Sequence, residues 1–569
     1  MKNLFKIFCF IFIYWMSTSC EKEFGNFLAK APGIDVTEDT IFSSQTNIET
    51  FLANAYYWGM NSDNALYDAR DNSDSPISGA CEETETVAPW FWVHRTWNTG
   101  GMNSTNQADK RWDSRWKAIR VINIILEKID KAPVPAAYIT QVKAEVKFIR
   151  GLNYFEMFKH YGGVPLVDHR FVLGEDLLTP RSTLQKTLDF ILKDANDAIA
   201  DLPTIYPSVM RGRATKAAAH ALKSKALLFA ASPQFNTATP VLPLPDHNDL
   251  ICFGSYDPNR WQVAADAALA AINACPASGN FLITNQGVTK NWQYIYEVMD
   301  NSEIILADKG EYNNWGWQYF LPSTIYSGMM GNTTTLNFVK YYEKLDGTPQ
   351  TWLDAGGYDL LQKYRELDPR FAQCNKSQGS IWNSSYGAVS MTTTPAGRNL
   401  SGCFAGVWCK KPIPDAFTGG GGNFRHWPIF KVNELYLNYA EALNEANTAP
   451  PQAAYDAVHT IRSRSGMPDF PAGMTKEAFR TKLRNERAIE LAMDCHRIFD
   501  ERRWLISDTE GLMKGNMWGI KIYAIPGNPN EFQYVPYVFS SRTFLPRMYL
   551  HPFMQSEVNK GYLIQNPGY

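Results

Sequence analysis

The sequence lacks an excess of charge of one sign, and beyond its first twenty residues it lacks any long hydrophobic run. Lysine and arginine total 55 against 57 aspartates and glutamates, so the formal net charge is −2. A chain without a basic field attracts phosphate backbones weakly, which argues against nucleic acid as a partner. No later stretch reaches the roughly 18 apolar residues that a membrane-spanning helix needs. Since 45% of the 569 residues are hydrophobic, the chain can nevertheless bury a large core.

Metal-binding and redox motifs are also lacking. The nine cysteines include no C-x-x-C pair, and the nine histidines occur singly, without H-E-x-x-H spacing. We therefore expect no metal site and no cofactor, and Cys403 with Cys409 is the one local disulfide left open. The Gly162-Gly163 pair lacks the following Lys-Ser/Thr of a phosphate loop, so we interpret it as a helix stop.

The N-terminus has the pattern of an export signal. A basic start at Lys2 and Lys6 precedes an apolar run that ends near Met16, and small polar residues then lead to Cys20. Small residues directly before a cysteine resemble a lipobox, although Ser17 stands where a leucine is usual. We predict that Cys20 is lipidated and anchors the protein; the alternative is ordinary secretion with cleavage nearby.

Helical periodicity dominates much of the remaining chain. Trp112, Trp116 and Ile119 recur at steps of three and four, which places them on one face of a helix. Eight segments with this type of pattern or with clear helix boundaries are predicted to be helical: 109–130, 139–160, 183–202, 213–231, 260–274, 431–447, 452–465 and 475–504. The pair at 431–465 has small contact residues and a length near that of a tetratricopeptide unit.

Between these helical regions the composition changes to glycine, asparagine, serine, threonine and aromatic residues. We predict an all-α dominated, single large domain in which tetratricopeptide-like helix pairs form a curved scaffold that carries long irregular loops. The predicted divisions are these: signal peptide 1–19, lipidated tether 20–40, and a domain at 41–569 that comprises an N-terminal helical half 41–275, a loop-rich insertion 276–430, C-terminal helix pairs 431–505 and an irregular tail 506–569.

Several separated segments resemble the SusD/RagB family. One runs Ala-Glu-Val-Lys-Phe-Ile-Arg-Gly-Leu-Asn-Tyr-Phe-Glu from Ala144 and continues into His-Tyr-Gly-Gly-Val-Pro-Leu-Val from His160. Another is Gly-Arg-Ala-Thr-Lys from Gly212, which runs on to Ala-Ala-Ser-Pro. Near the end, Leu-Arg-Asn-Glu-Arg-Ala-Ile-Glu-Leu begins at Leu483, and the final Gln-Asn-Pro-Gly-Tyr begins at Gln565. These blocks span nearly the whole chain in the family's order.

The resemblance implies a function and a partner. Members of this family are outer-membrane lipoproteins that capture oligosaccharides or polysaccharides without cleaving them. They deliver the glycan to a SusC-like TonB-dependent transporter, over which they sit as a hinged lid. We therefore expect a lipid-anchored protein that faces the cell exterior. The alternatives are a peptide or another nutrient taken by the same lid mechanism, a glycoside hydrolase, and a structural or adhesive surface protein.

Two aromatic clusters are the candidate glycan-binding residues. A pyranose ring presents an apolar face of C–H bonds and a rim of hydroxyls, so it suits a stacked aromatic ring beside an amide or a carboxylate. The chain is 14% aromatic, and in two short segments aromatic residues crowd together where helix periodicity does not explain them. The candidates are Trp90, Trp92, Trp97, Asn98 and Asp71 in the first region, and Asn313, Trp315, Trp317 and Tyr319 in the second.

Acidic residues of the segment 483–504 are the other candidates for a catalytic role. Glu486 and Glu490 lie four positions apart and share one helical face, whereas the two carboxyl groups of a glycosidase face each other across a sugar. Abundant neighbouring arginines predict that both glutamates belong to a structural ion network. Asp71 with Glu82 is a further conceivable acid pair for a hydrolase. We predict no catalytic residues.

Overall fold

Helices dominate the described part of this computed structural model, which comprises residues 37–60, 77–86, 96–106, 111–309, 322, 325, 331–395, 402–411, 413–416 and 427–569. The helices are α1 Glu38–Ile41, α2 Gln45–Gly59, α3 Trp112–Lys128, α4 Ala136–Tyr161, α5 Leu184–Asp201, α6 Lys216–Ala231, α7 Asn259–Ala274, α8 Tyr294–Glu297, α9 Leu336–Val339, α10 Leu360–Glu366, α11 Pro369–Cys374, α12 Val432–Ala446, α13 Gln452–Ser463, α14 Lys476–Glu490, α15 Arg497–Arg503 and α16 Gln555–Val558. The strands are β1 Thr84–Thr86, β2 Ile304–Asp308, β3 Asn332–Thr334, β4 Asn375–Lys376, β5 Trp408–Cys409, β6 Trp427–Lys431, β7 Gly515–Ile525 and β8 Asn528–Arg542.

The long helices form one continuous array. Each of α2 to α6 packs against the next helix in the chain, and α12 then packs against α7 and α6. Helices α13 and α14 pack in turn on α12. The C-terminal helix pair therefore extends the N-terminal array, which confirms the predicted scaffold of paired helices.

Local sequence signals explain where the long helices begin and end. The hydroxyls of Thr183, Thr215 and Thr475 accept hydrogen bonds from the first turns of α5, α6 and α14. Helix α4 ends at Gly162, whose φ of 81° lies in the left-handed region that glycine adopts without strain. This confirms the interpretation of the Gly162-Gly163 pair as a helix stop.

The predicted helix at 475–504 is interrupted, and this part of the prediction was wrong. Helix α14 ends at Glu490 and α15 begins at Arg497. Between them Met493 and Cys495 have φ values of 60° and 61°, which are incompatible with a continuing α-helix. The Met493 main-chain N–H donates instead to the Glu83 carboxylate at 2.9 Å. A tertiary contact therefore overrides the helical propensity of this segment.

The predicted irregular tail contains a long β-hairpin, so this prediction was also wrong. Strands β7 and β8 pair antiparallel around a turn in which Gly527 has a φ of 81°. A bulge between Met517 and Trp518 shifts the register of β7. Along β7 the buried apolar side chains are Met517, Ile520 and Ile522, which breaks the two-residue alternation that identifies a strand in a sequence.

The loop-rich insertion packs around a second apolar cluster, to which residues 488–495 and the β7–β8 hairpin also contribute. Two small sheets lie in this region, one ordered β1-β3-β5-β4 and one that pairs β2 with β6. Trp292, Trp382 and Trp408 are each at most 1% exposed within the cluster that underlies it. Much of its aromatic content therefore serves packing.

Two further features concern cysteines and membrane insertion. The seven cysteines of the described chain are buried and form no disulfide with one another, so Cys403 and Cys409 are not joined by the disulfide that the sequence left open. Among the described residues, every helix is too short or too polar to cross a bilayer.

Candidate functional site

The segments that carry the predicted glycan-binding residues begin and end close together. Thr86, the last residue of β1, pairs with Asn332 of β3. The segment 87–95, with Trp90 and Trp92, starts directly after Thr86, and the chain stretch 310–330 leads into β3. One end of each aromatic segment is thus fixed at the same edge of this sheet.

A pocket of about 390 Å³ lies at the other end of that stretch. It is lined by Tyr57, Met60, Arg213 and Lys309, among other residues. Residues 61–76, which contain Asp71, follow Met60 directly, and residues 310–321 follow Lys309 directly. Each end of the stretch 310–330 therefore lies beside the base of one of the other two segments that the sequence predicts to bind a glycan.

The described residues of the first cluster are structural. Trp97 is 1% exposed, and its ring lies 5.5 Å from the ring of His551 with the Arg502 guanidinium 5.8 Å above it. Asn98 is 7% exposed, and its side-chain amide donates to the Gly79 carbonyl at 3.0 Å. The prediction that these two residues present a ring and an amide to a sugar is contradicted, because both are committed to the core.

The remaining candidates lie outside the described residues and stay predictions. In the first region these are Asp71, Trp90 and Trp92. In the second they are Asn313, Trp315, Trp317 and Tyr319, and the predicted lipidation site Cys20 is also outside.

Arg542, which the sequence did not single out, holds the residues that directly precede the segment 87–95. Its guanidinium donates to the Thr84 carbonyl at 2.9 Å and to the Glu85 carboxylate at 2.8 Å, and it also bonds the Cys81 carbonyl. The end of β8 thereby holds β1 in place. The acidic run that ends at Glu85 was the signal that could have identified Arg542. Carboxylates that are buried in a fold need a positively charged partner.

A buried acidic cluster lies beside this contact. Glu82 accepts hydrogen bonds from Arg497 at 2.7 and 2.9 Å and from the Tyr341 hydroxyl at 2.9 Å. Burial alone would raise the pKa of Glu82, but the charge of Arg497 more than offsets this and lowers it. Burial and the neighbouring Glu82 raise the pKa of Glu501 well above its usual value. Since Glu82 is fully buried and paired, it is not placed to act in a hydrolase pair with Asp71.

Glu83, in the same cluster, is buried without a directly bound cation. Burial raises its pKa to about 8. Its carboxylate accepts the Met493 N–H and lies 3.6 Å from the Cys81 sulfur. Glu83 therefore joins the segment before β1 to the interruption between α14 and α15.

Glu486 and Glu490 belong to a buried ion network, as the arginine-rich sequence predicted. Arg370 donates to both, at 2.5 and 2.7 Å. Arg462 adds a second contact to Glu486 at 2.6 Å, and Arg464 adds one to Glu490. Burial would raise the pKa of Glu486, but Arg370 and Arg462 lower it to about 2.

Two family models match this chain in order. The model described as "Starch-binding associating with outer membrane" matches residues 26–228, and the model described as "SusD family" matches residues 296–569. The chain belongs to the SusD family. It is thus a member of a carbohydrate-binding family whose description places it at the outer membrane.

Individual relatives of this SusD-family protein agree over most of their length. A SusD-like protein of Formosa agariphila is 22% identical over 531 residues, which cover 88% of this chain and 89% of the relative. The crystal structure of a SusD-like protein from Bacteroides fragilis is 25% identical, with a TM-score of 0.76, and the match covers 95% of this chain and 100% of that one. A laminarin-binding SusD-like protein shares the fold at 19% identity and a TM-score of 0.59, with coverage of 93% and 100%.

Within the described residues no group of three or more His, Cys, Asp or Glu side chains is arranged to hold a metal ion.

Proposed function

We propose that this protein binds oligosaccharides or polysaccharides at the cell surface without cleaving them, and passes them to a SusC-like TonB-dependent transporter. The observation that carries the proposal is the convergence of segment ends: Thr86 pairs with Asn332, and Met60 and Lys309 line one pocket. The segments that carry the aromatic and amide candidates are thus attached to the described part of the chain at neighbouring positions. A site on loops held by a rigid scaffold is a common arrangement for ligand recognition.

Weak individual contacts suffice for this function. Two stacked rings contribute about 1 kcal/mol each, and three hydrogen bonds add about 1 kcal/mol each. The total of about 5 kcal/mol corresponds to a dissociation constant on the order of 0.1 to 1 mM. A polymer with repeated units and a transporter that supplies a second contact raise the overall affinity, while fast release at each site favours delivery.

The states of Glu486 and Glu490 support binding without hydrolysis. A glycosidase needs one carboxyl that is protonated near neutral pH and a second that faces it across the sugar. Glu486 has a pKa near 2 and is fixed by Arg370 and Arg462, so it has no proton to give. Glu490 is likewise buried and held by Arg464.

The proposed location is the outer membrane, with the protein anchored by a lipid on Cys20 and facing the exterior. The lipobox-like sequence before Cys20 and the description of the matching family model support this location. Metabolic labelling of cells with tritiated palmitate tests the lipid anchor. The label incorporated into the natural chain is compared with that in Cys20→Ala. Equal labelling of both chains would exclude Cys20 as the lipid site.

The glycan-binding proposal is tested by affinity gel electrophoresis of the full chain in detergent. The gels contain starch, laminarin, xylan or mannan; laminarin is included because a structural neighbour is a laminarin-binding protein. We expect one polysaccharide to retard the natural chain, and Trp90→Ala with Trp315→Ala to abolish the retardation. The control is Tyr256→Ala with Phe281→Ala, two aromatic residues that are 61% and 52% exposed.

A reducing-end assay on the same samples separates binding from catalysis. New reducing ends produced by the pure protein would refute the non-catalytic proposal. Retardation by none of the glycans would refute glycan capture by the isolated protein and would favour a peptide ligand.

A further inference from the structure

A second pocket, of about 310 Å³, lies on the helical scaffold. One wall is α3, and the others come from the segment 165–179, from Glu557 of α16 and from Tyr562 after it. All of its lining residues belong to the described part of the chain. Its volume is within the range of sites that hold small molecules.

Three residues of α3 form a stripe along this pocket. Asp113, Trp116 and Arg120 are separated by three and four positions, so they share one face of the helix. Asp113 and Arg120 lie two turns apart, about 10 Å along the axis, which is long enough for two linked pyranose rings. The stripe places an aromatic ring between an acid and a base.

The ring of Trp116 is held in a defined orientation. Its edge packs against Trp112 at 5.4 Å and against Tyr154 at 6.4 Å, with interplanar angles of 73° and 89°. The side chain is only half-buried, so part of it faces the pocket. A ring fixed in this way binds a sugar face without a further loss of side-chain freedom.

Asp113 and Arg120 are exposed, and neither has a hydrogen-bond or ion-pair partner among the residues that the structure describes. The charged groups of the other walls differ in this respect. Glu557 accepts the Tyr562 hydroxyl at 2.6 Å and pairs with Lys560 at 2.7 Å. Arg170 pairs with Glu38 and, at 3.0 Å, with Glu127. Among the charged groups of the described lining, the α3 stripe therefore offers one uncommitted acceptor and one uncommitted donor.

This combination selects a neutral ligand rich in hydroxyl groups. An anion would be repelled by Asp113 and a cation by Arg120. An apolar occupant would remove both charges from water without supplying partners, which is costly. A pyranose instead offers hydroxyls to the carboxylate and the guanidinium, and a C–H face to Trp116.

We propose that this pocket is a second sugar-binding site, which takes neutral pyranose units of the same glycan that the aromatic segments bind. The inference rests on the proposed function. Trp116 stacks on a ring, Asp113 accepts a hydrogen bond from one hydroxyl, and Arg120 donates to another. Two sites on one chain hold a polymer more firmly than either site alone, because binding at one raises the local concentration of sugar at the other.

The test uses the full chain in detergent and the polysaccharide panel described above. The variant is Asp113→Ala with Arg120→Ala, and both positions are exposed and unpaired, so the fold is expected to persist. The matched control is Lys186→Ala with Asp201→Ala, one base and one acid exposed on α5. We expect the α3 variant to weaken apparent binding of the retained polysaccharide at least about tenfold, since a second contact is lost, while the control is retained like the natural chain.

Hydroxyl-radical footprinting gives a readout that does not depend on the variants. We expect the bound polysaccharide to protect Trp116 and Tyr562 from oxidation, while Tyr256 remains fully reactive. Unchanged binding by the α3 variant, or unchanged oxidation of Trp116 and Tyr562 while glycan is bound, overturns the second site. If Trp90→Ala with Trp315→Ala still abolishes retardation in that case, the proposed function stands. Absence of binding by the natural chain overturns both proposals.

Discussion

The side-chain amide of Asn98 donates a hydrogen bond to the main-chain carbonyl of Gly79 at 3.0 Å. This contact joins the residues that follow segment 87–95 to those that follow segment 61–76. Asn98 therefore acts on the candidate site by holding the ends of two segments together, whereas the sequence had suggested that it bonds the ligand.

Asn98→Ala should lower the free energy of unfolding and also weaken glycan binding. The substitution leaves the buried Gly79 carbonyl without its donor, which costs about 1–3 kcal/mol. Urea unfolding monitored by circular dichroism and affinity electrophoresis measure the two effects. Asn54→Ala, on an exposed face of α2, is the control. Full stability of the Asn98 variant combined with complete loss of binding would instead indicate direct contact with the ligand.

Trp97→Ala should destabilise the protein strongly. Truncation of a buried aromatic side chain of this size costs about 3–5 kcal/mol. Thermal unfolding should show a large decrease in the midpoint, whereas Tyr256→Ala should leave it nearly unchanged because Tyr256 is 61% exposed. A Trp97 variant as stable as the natural chain would show that the ring is not part of the core.

Glu486→Gln should affect stability and leave glycan binding by the folded protein intact. The change removes the negative charge that pairs with Arg370 and Arg462, and loss of one partner of a buried pair costs about 3–5 kcal/mol. Glu477→Gln, at an exposed position of the same helix, is the control for denaturant unfolding. A stable Glu486 variant that no longer binds glycan would contradict the structural role.

The same carboxylate predicts sensitivity to acid. The pKa of Glu486 is about 2 in the folded protein and near 4.5 when unperturbed. The folded state therefore binds this proton less readily than the unfolded chain, so the contribution to stability is complete above about pH 4.5 and is lost as pH falls toward 2. The difference in unfolding free energy between the natural chain and Glu486→Gln should shrink over that interval. A constant difference would contradict the lowered pKa.

The raised pKa of Glu83 predicts a contribution to stability that depends on pH in the opposite sense to that of Glu486. Burial raises its pKa to about 8 in the folded protein, against an ordinary value near 4.5. Between these values the folded state retains a proton that the unfolded chain releases, so the contribution is complete below about pH 4.5 and decreases by up to about 1.4 kcal/mol per pH unit as pH rises toward 8. Relative to the natural chain, Glu83→Gln should therefore gain stability between pH 5 and 8. A pH-independent difference between the two proteins would contradict the prediction.

Much of the scaffold could be predicted from the sequence because its signals are local. The three-and-four spacing of apolar residues in α3, the threonine caps of α5 and α6, and Gly162 after α4 depend on residues within a few turns of each other. The arginine-rich context of Glu486 and Glu490 likewise predicted ion pairs, although their partners Arg370, Arg462 and Arg464 lie on other elements.

The sequence by itself therefore determined the family blocks, the helical class and most boundaries of the long helices, since short-range periodicity and capping set these. Tertiary structure alone decided three things. It interrupted the helix at Met493 through a contact with Glu83, and it formed the bulged hairpin of β7 and β8. It also placed Trp97 and Asn98 in the core. Burial depends on which distant segments cover a residue, and an aromatic residue beside an asparagine has the same local pattern at a sugar site and inside a folded core.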